Sequence, residues 1–109
     1  MIKIINLTPH DVNIYEGNEL LMTIKASGIV ARVDVTTNIL AGKINNTIPV
    51  SKSCFGTIKG LPNPEEDTIY IVSKMIAERA KDRDDLYITN GSVRDENGHI
   101  IGCTSLAQI

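Results

Sequence analysis

The chain contains no Trp, one Phe and three Tyr, too few rings to build the aromatic platform on which single-stranded nucleic acid stacks. Surplus positive charge is also missing. Eleven Lys and Arg stand against thirteen Asp and Glu, a net charge of -2 with a pI near 5.6. That balance disfavours general DNA or RNA binding, which draws its affinity from neutralised phosphates, and leaves room only for a local basic pocket. No apolar run approaches the ~18 residues that a membrane-spanning helix needs. The opening MIKIINLTPHDV lacks the sustained apolar core and cleavage region of a secretory signal, so a cytoplasmic location is expected. Cysteine is scarce: Cys54 and Cys103 are far apart and outside any C-x-x-C spacing, as expected of reduced, half-buried thiols. In a protein that is not secreted, the N-x-[ST] triplets at Asn6, Asn45 and Asn90 are chance.

Chemical signatures are absent as well. Neither G-x-G-x-x-G nor G-x-x-x-x-G-K-[ST] occurs, which excludes dinucleotide-fold and P-loop mechanisms. His10, His99 and the two Cys show no paired ligand spacing, so neither a metal nor a cofactor is expected. No G-x-S-x-G elbow or cysteine signature places a nucleophile on a strained turn.

What is present is ordinary globular composition, 42% hydrophobic and 22% charged over 109 residues. This is enough for one domain, 1–109, that buries roughly 65% of its unfolded surface. The most informative stretch is 68–88, TIYIVSKMIAERAKDRDDLYI. Ile69, Tyr70, Ile71 and Val72 read as a buried strand. Ser73 is placed to cap a helix over residues 73–82, whose apolar stripe is Met75, Ile76, Ala77 and Ala80. Leu86, Tyr87 and Ile88 resume extended character, so the order predicts a β-α-β crossover.

Around it, short strands are expected at 2–6 and 12–15, and a hairpin turn at Glu16, Gly17 and Asn18 leads into 20–24. From Ile29 the alternation buries Ile29, Ala31, Val33 and Val35 and offers Arg32 and Asp34 outward. Residues 37–43 are ambiguous between a helical turn and an irregular bend. Asn45 and Asn46 form a turn, 54–59 is extended, and 61–67 is an acidic connection whose prolines prevent helix. Asn90 and Gly91 read as a turn, and Asp95, Glu96, Asn97 and Gly98 as the loop of a final hairpin. The expected fold class is therefore α+β: short, mainly antiparallel twisted strands packed around one helix. So many strand edges and one helix predict a homo-oligomer.

The candidate site residues form two groups. Thr8 and His10 lie in the loop Thr8-Pro9-His10-Asp11, where an imidazole oriented by Asp11 could contact a ligand or act as an acid or base. Ser73 opens the helix, where unpaired N–H groups favour an anion. Arg32, Arg83 and Arg94 are the guanidinium groups able to reach a phosphate. Arg83, however, lies roughly 15 Å along the helix from Ser73, and its alternative role is to pair with Asp82, Asp84 or Asp85.

Taken together, NLTPHDVNI, ASGIVARV, FGTIKGLP, TIYIVSKMIAERAKDRDDLY and VRDENGHIIGCTSL resemble a family of small proteins met in phages and prophages. The resemblance implies a short accessory protein, such as an assembly factor or a protein that sequesters nucleotide signals of host defence. It transfers no catalytic residue. The expectation drawn from residues and resemblance together is sequestration of a small, nucleotide-derived anion in the host cytoplasm, without turnover. The alternatives are a structural or protein-interaction accessory and a small hydrolase or lyase using His10.

Overall fold

A computed structural model describes the backbone of residues 1–109 and every side chain outside 35–40 and 52–55. Eight strands and one helix follow in the order β1 (Lys3–Asn6), β2 (Val12–Glu16), β3 (Glu19–Ile24), β4 (Arg32–Ile44), β5 (Ile48–Lys59), β6 (Thr68–Ile71), α1 (Lys74–Arg79), β7 (Leu86–Arg94) and β8 (Ile100–Ala107). Six strands form one curled sheet in the order β1-β6-β7-β8-β2-β3, while β4 and β5 pair with each other as a separate ribbon.

Within the six-stranded sheet β1, β6 and β7 are mutually parallel, β8 meets β2 in parallel at Ile14 and Cys103, and β7–β8 and β2–β3 are antiparallel. The two ends of the sheet approach each other, joined by a parallel bridge between Asn6 and Ala26 and by the Ser27 N–H donating to the Asn6 carbonyl at 3.0 Å. Inside the curl, Ile71, Val12, Ile24 and Cys103 are buried with Ile4, Ile14 and Leu106 against them. On the other side of the same strands, Leu7, Tyr70, Val72 and Leu86 pack with Ile76, Ala77 and Ala80 of α1. Strand β6 is thus covered on both faces, which is why its sequence is continuously apolar instead of alternating.

This architecture corrects the α+β expectation. The helix has six residues, and it covers one outer face of a mixed, mostly β structure instead of forming the centre around which the strands pack. It ends at Ala80 (φ -121°, ψ 46°) and not at residue 82. Continuing through Asp82, Asp84 and Asp85 would place carboxylates on the negative end of the helix dipole. Asp85 is instead held by Arg83, and Leu86 must enter the sheet opposite Tyr70. So short a helix presents only a narrow stripe to the core. Ile76, Ala77 and Ala80 fill it, and Met75 is exposed.

A second correction concerns Asn90 and Gly91, which lie inside β7, paired across to Ser105 and its neighbours in β8. Gly91 has φ +73°, and a Cβ there would collide with the Thr104 hydroxyl, so the glycine serves a kinked strand and not a reversal. The expected turns at Gly17 and at Asn45-Asn46 are present, with φ values of 61°, 54° and 53°. In the ambiguous stretch, Ala41 to Lys43 continue β4 with Gly42 at φ +125°. Cys54 lies outside the described side chains, while Cys103 is fully buried and not half-buried.

Replacing Ile76, 1% exposed, with Asp buries an unpaired charge and is expected to cost about 3 kcal/mol or more. Met75→Asp is expected to change stability by less than about 1 kcal/mol, as at other exposed positions. Thermal or urea unfolding of the two variants measures the contrast.

Candidate functional site

Parallel β1 and β6 end at the same edge, with Asn6 opposite Ile71. Past that edge the chain departs in two directions, from β1 into the Thr8–His10 turn and from β6 through Val72 and Ser73 into α1. Strand β7 runs on past the ends of its neighbours and returns as β8, beside β2. The space left between these segments is a cleft of about 490 Å³. It sits at the carboxyl ends of parallel strands, where ligands of α/β sheets bind.

The turn that makes one wall is built by Asn6, whose side chain is 1% exposed. Its Nδ2 donates to the His10 carbonyl at 2.7 Å and to the Ile24 carbonyl at 3.1 Å. Its Oδ1 accepts from the Thr8 N–H at 2.9 Å and lies 2.6 Å from the Thr8 hydroxyl. That hydroxyl is also 2.9 Å from the His10 carbonyl, and its single proton serves one acceptor at a time. Thr8 therefore shapes the wall as well as lining it. At the opposite rim Gly102 lets β8 approach β2 closely, since a Cβ there would strike the Asn13 carbonyl and the Tyr15 ring.

Three of the six expected ligand residues, Thr8, His10 and Ser73, come together in this cleft. Ser73 caps α1, its hydroxyl accepting from the Ile76 N–H at 3.4 Å, which leaves its own O–H to donate. With only six residues the helix supplies little macrodipole, so an anion here would depend on side chains. Lys74 provides the cation: it lines the cleft, and its Nζ stands a loose 4.0 Å from Glu78. The other polar lining is Asp11, Asn13, Thr89, Asn90 and Ser92, and the apolar lining includes Val12, Val72, Ile88, Ile100 and Ile101.

The three arginines lie elsewhere. Arg32 is at the root of the β4–β5 ribbon, opposite Lys59. Arg94 closes the β7–β8 turn by donating to the Gly98 carbonyl at 2.7 Å. Arg83 makes two hydrogen bonds to Asp85, at 2.9 and 2.8 Å, and lies 6.0 Å from the centre of the Tyr70 ring. Its role is structural.

The acid–base arrangement at His10 is not assembled. Asp11 turns away, accepting from the Ala26 N–H at 2.9 Å and pairing with Lys25 at 3.4 Å. The Ala26 hydrogen bond lowers its pKa. Among the described residues no side chain orients the imidazole, and no group of three or more His, Cys, Asp or Glu could hold a metal ion. What the cleft offers is hydroxyl, amide, imidazole and ammonium groups, with the Lys25-paired Asp11 carboxylate, beside an apolar strip.

Residues that sequence reasoning missed are Lys74, which lies outside the apolar stripe of the expected helix, and Thr89, Asn90 and Ser92, hidden by the expected turn at Asn90 and Gly91. The dipeptide Asn90-Gly91 carried no signal to distinguish a kinked strand from a reversal.

The Arg83–Asp85 pair yields a stability prediction. Hydrogen bonds from Arg83 hold Asp85 below its ordinary pKa despite partial burial. Its contribution is therefore complete above the unfolded value of about 3.9 and disappears as pH falls through the lower folded value. With side chains 17% and 11% exposed, Arg83→Ala is expected to cost about 2 to 3 kcal/mol at neutral pH. The loss should shrink below about pH 4 as Asp85 is protonated, as measured by urea unfolding at a series of pH values. No protein-family model, curated protein or solved structure matches this chain.

Proposed function

We propose that this protein binds a small, phosphate-bearing ligand, nucleotide-derived, in the cleft between the Thr8–His10 turn, the start of α1 and the β7–β8 pair, and holds it without chemical change. The observation that carries this reading is the composition of the cleft: Lys74 and the Ser73 hydroxyl, whose proton is free to donate, line it together with Val72, Ile88 and Ile101, while the one carboxylate in the lining, Asp11, is already paired with Lys25. A cation with a hydroxyl donor suits phosphate oxygens, and the apolar strip suits the flat face of a base. A volume near 490 Å³ falls within the range of small-ligand sites, roughly 300 to 1,000 Å³.

The absence of an oriented base at His10 among the described residues supports sequestration over turnover. The biological role that accompanies this reading is that of a phage-encoded accessory protein withdrawing a nucleotide signal from the host cytoplasm. The sequence resemblance supports that context. Arg32, Arg83 and Arg94 drop out as ligand residues of this cleft.

Mass spectrometry of small molecules released from heat-denatured protein, followed by calorimetry against linear and cyclic nucleotides and inorganic phosphate, tests the proposal. Lys74→Ala is expected to weaken binding by about 1.5 to 3 kcal/mol, the range for hydrogen bonds to charged groups. Arg94→Ala is expected to leave affinity unchanged, and the ligand should be recovered intact. No binding at millimolar nucleotide, or a ligand hydrolysed in a reaction abolished by His10→Ala, would contradict it.

A further inference from the structure

Among the described residues, the β4–β5 ribbon packs against the core beside α1 near its root, through Val33 and Ile58. Beyond that root it projects as two strands of thirteen and twelve residues, about 40 Å at ~3.4 Å per residue. The effect on dimensions is large: the radius of gyration is 17.5 Å and the longest extent 56 Å, where a globular chain of this length has a radius near ~13 Å. All residues of 41–49 are exposed, including Ile44 at 53% and Ile48 at 55%. A two-stranded ribbon with apolar residues facing water is marginal by itself and gains stability when covered.

Two features identify the cover. The first is charge. Residues 32–59 carry four basic side chains (Arg32, Lys43, Lys52, Lys59) and one acidic (Asp34), a net +3. Of the eleven basic and thirteen acidic residues in the chain, seven and twelve remain for the body, a net −5. A basic arm on an acidic body is attracted to another body of the same kind, whereas that body would repel a nucleic-acid backbone.

The second feature is an open edge. Strand β3 pairs with β2 on one side, and on the other β1 holds its end, where Asn6 donates to the Ile24 carbonyl and bridges Ala26. Leu20, Leu21 and Met22 on this strand are 49%, 57% and 47% exposed, next to Glu19 and Glu16. An apolar edge flanked by carboxylates complements an apolar tip flanked by Lys43.

We infer that the ribbon docks on the β3 edge of a second copy of this chain, each subunit's ribbon reaching the other's β3 across a two-fold axis. The docked tip covers Leu20, Leu21 and Met22 while Ile44 and Ile48 leave water. This assembly is independent of what the cleft binds.

Sedimentation velocity in the micromolar range, with circular dichroism to confirm folding, tests it. The unaltered chain is expected at twice its 11.9 kDa mass. The double variant Ile44→Glu, Ile48→Glu and the single variant Leu21→Glu should each be folded monomers. Mixing these two variants leaves one intact ribbon and one intact β3 edge, and should restore dimers. A monomeric unaltered chain, whether or not it then binds DNA, would overturn the inference. So would tip variants that still dimerise, or a mixture that stays monomeric.

Discussion

The structure depends on one buried side chain. Asn6 has two N–H donors, both engaged, and an amide oxygen that accepts from the Thr8 N–H and, in turn with the His10 carbonyl, from the Thr8 hydroxyl. One donor reaches the Ile24 carbonyl at the end of β3, the far end of the sheet in strand order. The other reaches His10, while the oxygen organises Thr8. The backbone of the same residue pairs with Ile71 of β6 and Ala26. A flat sheet with this strand order would leave Ile4, Ile14, Ile24 and Ile71 facing water. Drawing its ends together at Asn6 gives them a common interior. Because Asn6 is fully buried, each of these bonds replaces one that water would otherwise make, and losing any of them leaves an unpaired polar group inside.

The cleft follows from the same closure. The curl brings the carboxyl ends of β1 and β6 opposite the overhanging β7–β8 pair, and the turn organised by Asn6 supplies one wall. The residues that fix this wall are therefore structural and cleft-lining at once. The other chain segments are more separable: α1 seals one outer face through Ile76, Ala77 and Ala80, and the ribbon is rooted through Val33 and Ile58.

Local chemistry was readable in the sequence where a residue type forces its own backbone. Gly17 and Asn45-Asn46 marked tight turns, Ser73 marked the cap of α1, and the prolines at 62 and 64 marked the connection into β6. Features set by distant contacts were not. The helix was overestimated because Met75 to Asp82 has helical composition, whereas its length is limited by the Arg83–Asp85 pair and the entry of β7. Strand β7 was cut short because Asn-Gly usually reverses a chain, and nothing local reveals the Thr104 hydroxyl that Gly91 accommodates. Asn6 is the clearest case: nothing local in Asn6-Leu7-Thr8 shows that the Asn6 and Thr8 side chains form the hydrogen-bonded node of the fold. Of the cleft lining, Thr8, His10 and Ser73 are legible because turn and cap residues stand out. Lys74 is not, since a lysine on a short helix looks like any solvated position.

The measurement that tests the role of Asn6 most directly is urea unfolding of Asn6→Asp between acid and neutral pH. The substitution keeps the shape and the acceptor for Thr8 but, when ionised, has nothing to donate to the Ile24 and His10 carbonyls. The account predicts a loss of about 3 kcal/mol or more at neutral pH, through a buried carboxylate facing carbonyl oxygens. Burial raises the folded-state pKa of that carboxyl, so part of the loss should be recovered on acidification, as the protonated form regains one donor. A variant as stable as the unaltered chain at neutral pH would contradict the claim that this side chain closes the sheet.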